Sequence, residues 1–126
     1  QLKCSSTTAA TSRQKINTSL ALKYSGCVLW IQFDPKTFEL GPFMWFGDTP
    51  DNPLPDISKF PVAKHTKANK EGIKAERPGI RVISKSKFTL LNTMDDVIKA
   101  LFGPLGPILA AQEYHYLDKV IPLAKK

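Results

Sequence analysis

The chain has 126 residues, 42% of them hydrophobic and 23% charged, with a formal net charge of +7. A chain of that length is expected to form one domain with a sizeable core, and its composition excludes wholesale disorder. No apolar run approaches the roughly 20 residues of a helical membrane span, so a cytoplasmic location without membrane attachment is expected.

No charged n-region precedes an apolar stretch, so no signal peptide is read at the N-terminus. The chain does not open with Met, as a processed chain or one with an upstream part would not. Gln1 to Ser5 reads as a short strand, with the Ser/Thr residues after it as an exit loop. Ser12 to Tyr24 fits two periods. Ile16, Leu20 and Tyr24 recur every four residues, which suits a helix; Ile16, Thr18, Leu20, Leu22 and Tyr24 alternate, which suits a strand. Gly26 ends either one.

CVLWIQF, Cys27 to Phe33, is the clearest strand: apolar nearly throughout, rich in aromatic and β-branched residues, and short for a helix. Being apolar on both faces, it is expected to be covered on both. Asp34-Pro35-Lys36-Thr37 is a type I turn, and FELGPFMWFG returns as the second strand of a hairpin. Pro42 cannot donate to a ladder, so this strand should lie at an edge or carry a bulge. Trp30, Phe43, Trp45 and Phe46 fall in these strands and read as core rather than as platforms for stacked bases.

DTPDNPLPDISKFP holds four prolines in fourteen residues and reads as a rigid, extended surface loop. In the segment after it, Lys64, Lys67, Lys70, Lys74 and Arg77 recur at helical spacing, but Gly72 and Pro78 oppose a long helix. Ile80 to Ser84 reads as a strand. Met94 to Phe102 is the best helix. Thr93 is its N-cap, Asp95 and Asp96 lie in its first turn, an apolar stripe runs through Val97 and Ile98, and Gly103-Pro104 stops it. A last helix is expected from about Ile108 to Val120. The fold class is α/β or α+β, a small mixed sheet with flanking helices. Residues 1–103 form the core, with a basic loop at 64–87, and 104–126 form a helical extension of the same domain.

Cys4 and Cys27 sit in no CxxC pair and beside no His, so two buried, reduced thiols are expected rather than a metal site or disulfide. The charge is localised. Residues 64–87 hold eight Lys/Arg against two Glu, a net of +6, while the rest of the chain is nearly neutral. Such a concentration attracts phosphate polymers. Lys64, Lys67, Lys70, Lys74, Arg77 and Arg81 are the candidate contacts to a nucleic-acid backbone. The same run also reads as a solvated charged loop.

On a strand, Gln1 and Lys3 share one face, with Leu2 on the other. A carboxamide oxygen can join a Mg²⁺ shell, and an ammonium can polarise a water and offset phosphate charge. This arrangement resembles the PD-(D/E)XK nucleases, in which a strand carries an acidic residue, any residue, then Lys. Some branches, among them certain modified-DNA restriction nucleases, place Gln in the acidic position. The likeness covers roughly the first fifty residues. It implies a restriction-endonuclease-like core and Mg²⁺-dependent cleavage of DNA, with Gln1 facing the metal and Lys3 catalytic. The family also needs an Asp on the preceding strand. An upstream segment or another chain, as in a homodimer, would have to supply it, or the protein does not cut. QLK can equally be a polar edge strand whose Lys discourages aggregation. Three functions follow: a DNA-directed nuclease, a non-catalytic nucleic-acid-binding module on the same scaffold, or an interaction domain whose basic loop meets an acidic protein.

Overall fold

The run Cys27–Phe33 is the strand on which the rest of the fold is laid. In the computed structural model, which describes residues 1–104, it is β3 of seven strands. β1 is Leu2–Ser6, β2 Arg13–Asn17, β4 Leu40–Gly47, β5 Val62–Lys64, β6 Glu76–Ser84 and β7 Thr89–Leu91. The helix α1 is Met94–Phe102. One sheet has the order β1-β3-β4-β7 and the other β2-β6-β5. The protein is therefore a small mixed α+β protein made mostly of strands. Among the described residues no other α-helix flanks the sheets. β1 runs parallel to β3, and parallel neighbours need a crossover. Here that crossover passes through β2 and a 3-10 turn at Thr18–Leu22, which carries the chain into the second sheet. The helix expected from about Ile108 to Val120 lies outside the described residues.

Alternation along β3 buries Val28, Trp30 and Gln32 on one face and leaves the other half-buried, so the strand is covered fully on one side only. Ile16 and Ile83 from the second sheet close over the buried face, joined by Met44, Phe46, Leu54, Ile57 and Phe88. The Trp30 ring meets Phe88 edge-on at 5.4 Å between centroids, and its Nε1 donates to Ser5 Oγ at 2.8 Å. Trp30, Phe43, Trp45 and Phe46 are all buried, as their strand positions predict. The proline-rich loop forms no regular element, but it is not a surface loop throughout. Leu54 and Ile57 are buried from it into the core. Asp56 sets the local turn by accepting from the Ser58 amide at 2.9 Å, a bond that also holds its carboxyl below the usual carboxylate range. Prolines here stiffen a segment that has to deliver two core side chains without a ladder.

Both periods read in Ser12 to Tyr24 are partly realised. The alternating half makes β2, and Asn17 then accepts from the Ser19 amide and opens the 3-10 turn. Gly26 follows, and a Cβ built there would sit 2.5 Å from the Leu20 carbonyl oxygen. Backbone would have to shift, so Gly26→Ala is expected to destabilise the fold by about 1–3 kcal/mol, read as a lower urea midpoint with an unchanged m-value.

Pro42 lies in β4, which is interior, and is tolerated by the bulge rather than by an edge. Ile31 pairs with Phe43 and Phe33 with Leu40, so Gly41 and Pro42 together face Gln32. The helix matches its expected bounds. Thr93 Oγ1 accepts from the Asp96 amide, and Gly103 ends it at φ +92°. Its stripe is buried only at Val97, while Met94 and Phe102 stay exposed. Cys27 is half-buried, and burial pushes its thiol up. Cys4 is exposed, contrary to expectation, because it alternates to the open side of the edge strand β1.

Candidate nucleic-acid interface

The site begins with the alternation in β2. Gln14 and Ile16 turn inward, which leaves Arg13, Lys15 and Asn17 exposed on the other face. On β1, Lys3 is in register with Trp30 and so shares the face that looks toward the second sheet. A cleft of about 540 Å³ opens there, lined by Lys3, the Ala10–Ser12 stretch, Arg13, Gln14 and Lys15. A second cleft, of about 380 Å³, shares Arg13 and Lys15 and continues to Lys64, His65, Thr66 and Lys74 over a floor of Pro61, Val62 and Val82. The two clefts share Arg13 and Lys15, with Lys3 lining the first and Lys64 and Lys74 the second, and the pair is called the track below. Among the described residues no carboxylate lines either of them. A concave surface of one charge sign focuses its field on a polyanion. Lys85 lines neither cleft and places its ammonium 5.7 Å from the Trp30 ring centroid.

A hairpin brings Lys64 and Lys74 together. Glu76 pairs with Lys64 across β5 and β6, and the His65 amide donates to the Ala75 carbonyl at 2.8 Å. At its tip, Asn69 Oδ1 accepts from the amides of Glu71 and Ile73, and Gly72 takes φ +78°. The basic run forms no helix, in keeping with Gly72 and Pro78, and is a hairpin rather than the long loop expected at 64–87. Pro78 fits inside β6 because the register jumps there: Val62 pairs with Arg81 and Ala63 with Arg77, so residues 78–80 face no β5 partner.

The candidates separate by place. Lys3, Lys64 and Lys74 line the track. Lys67 and Lys70 are exposed at the hairpin tip, and Arg77 is exposed on β6. Arg81 lines neither cleft. Its guanidinium is half-buried and donates from Nη1 to the carbonyls of Ser58 (2.8 Å) and Phe60 (3.2 Å), while Nε is buried without a partner among the described residues. These bonds tie it to the proline-rich loop. Gln1 lines neither cleft. Its backbone nitrogen donates to the Cys27 carbonyl and its backbone carbonyl accepts from the Leu29 amide, which ties its main chain to β3. Among the described residues no three His, Cys, Asp or Glu side chains converge. Asp34 accepts from the Lys36 and Thr37 amides and serves its turn. Among the described residues no convergent carboxylates join the Gln1 carboxamide, and carboxylates are the protein groups through which Mg²⁺ is usually held.

Arg13 and Lys15 are the site residues that charge counting passes over, because they lie fifty residues from the basic run. The signal for them is the polar-out alternation of RQKIN, legible only once that stretch is taken as a strand. No protein-family model, curated protein or solved structure matches the chain.

Proposed function

We propose that the protein is directed at nucleic acid, DNA foremost, and that the track from Lys3 to Lys74 holds a sugar–phosphate backbone. One observation carries this reading. The QLK lysine opens into the cleft bounded by Arg13 and Lys15, and those two also bound the cleft of Lys64 and Lys74. A polyanion lying along the track meets five cations from three segments of the chain.

Within that function, the PD-(D/E)XK type is the reaction class we assign. What supports it is that QLK begins an edge strand parallel to CVLWIQF and that its lysine faces the cationic cleft. Lys3 would then lie beside a bound phosphate, offset its charge and orient a water. The acidic ligands such a reaction needs would come from outside the described residues. The test is plasmid incubation with Mg²⁺ or Mn²⁺. Cleavage is expected, and Lys3→Ala should slow it by about 100-fold or more. Cleavage that survives in the variant removes Lys3 from the mechanism. Salt-sensitive binding with no cutting under any divalent ion leaves a non-catalytic binding module. No affinity for duplex or single strands at low salt overturns the nucleic-acid reading in favour of an acidic protein partner.

A further inference from the structure

Ile73 lies in the hairpin loop beside Lys74 and is 62% exposed. A lone exposed aliphatic is ordinary on a protein surface. This one is anchored at both of its backbone groups. Its amide donates to Asn69 Oδ1 at 2.9 Å, and its carbonyl accepts from the Asn69 amide at 2.7 Å. The Glu71 amide also donates to Asn69 Oδ1, and the Gly72 amide to the Asn69 carbonyl, both at 3.0 Å. One asparagine thus ties down the whole tip. A β-branched side chain on such a backbone keeps few rotamers, so it loses little entropy when it is buried by a partner. Within six residues of it in sequence are Lys67, Lys70, Lys74 and Arg77, with Glu71 and Glu76 as the acids.

An apolar prong on an anchored backbone, in a stretch with more cations than acids, is suited to a polyanion that also has an apolar interior. Duplex nucleic acid is such a polymer: phosphates outside, stacked base pairs within. We infer that Ile73 is a wedge that enters a base step of duplex DNA from the minor groove, while Lys64 and Lys74 at the base of the hairpin hold the adjoining backbone. Apolar side chains used in this way partly unstack the step and bend the duplex by roughly 20–90°. The inference rests on the nucleic-acid reading above and narrows it to duplex rather than single strand. Asn69 is a positioning residue for the wedge and touches no base itself.

The experiment is a duplex labelled at both ends, with end-to-end energy transfer measured on adding the full chain, alongside affinity and its salt dependence. The wild type should shorten the end-to-end distance. Ile73→Ser should lose that shortening and about tenfold in duplex affinity, with the salt slope kept because no cation is removed. Ile73→Leu, which retains the apolar bulk, should bend the duplex, and Asn69→Ala should bend it less. A duplex bound by Ile73→Ser and bent as far as by the wild type overturns the wedge and leaves the backbone track standing. Binding of wild type to phosphatidylserine vesicles but not to duplex, lost in Ile73→Ser, assigns the tip to a lipid surface and overturns it as well. If no nucleic acid binds at low salt, the track itself fails and the wedge with it.

Discussion

Trp30→Ala is expected to remove about a fifth or more of the folding free energy. The side chain is fully buried where the two sheets meet. Phe88 stands against its ring, Ser5 Oγ accepts a hydrogen bond from its Nε1–H, and Met44 is its cross-strand partner. Deleting a buried aromatic costs about 3–5 kcal/mol, and domains of this kind are stable by only about 5–15 kcal/mol. The cavity cannot close easily, because its walls come from two sheets held by their own ladders. Trp30→Phe separates the two contributions. It keeps most of the volume and strands the Ser5 hydroxyl, so a smaller loss of about 1–2 kcal/mol is expected. Urea denaturation followed by far-UV circular dichroism reads both variants. A Trp30→Ala midpoint close to wild type would show that this residue is not the joint between the sheets. The consequence reaches the site, since Ser5 shares β1 with Lys3 and Lys85 lies over the same ring.

Local signals were readable wherever structure is set by neighbours in sequence. The β3–β4 hairpin needed only an apolar run, an Asp-Pro turn and a second run. The helix needed only Thr93, two aspartates and Gly103. The second sheet was hidden for the opposite reason. β2 is five residues long, and its partner β6 lies more than sixty residues away, so nothing within β2 declares what it pairs with. Leu54 and Ile57 looked like loop residues because prolines surround them, yet burial is decided by what the loop crosses. Arg81 looked like its basic neighbours. Only the register of β6 shows that it alternates with Val82 and turns toward the Ser58 and Phe60 carbonyls. The site shows the same division. Lys64 and Lys74 could be named from charge density, and Lys3 from QLK. That Arg13 and Lys15 join them is a property of sheet pairing.

That joining is open to a test that charge alone cannot pass. Replacing Arg13, Lys15, Lys64 and Lys74 with Ala removes four cations that line the track. Each phosphate contact contributes about 0.9 to the slope of log affinity against log salt, so the slope for duplex DNA should flatten by about 3.6 units. Between about 50 and 200 mM salt, the wild type should then lose roughly a hundredfold more affinity than the variant. A matched control removes Lys23, Lys36, Lys59 and Lys99, four exposed lysines that line neither cleft. Both variants carry the same net charge, so they share the long-range attraction, which salt screens within about 8–10 Å. They differ in whether cations are lost from one concave face. The control should keep most of its slope, because scattered lysines cannot all meet one backbone at once. Arg81→Ala is the third arm. Its guanidinium is engaged with two carbonyls, so it should lower the urea midpoint and leave the slope near that of the wild type. If the control flattens as far as the track variant, binding is to overall charge and the two clefts are not a site.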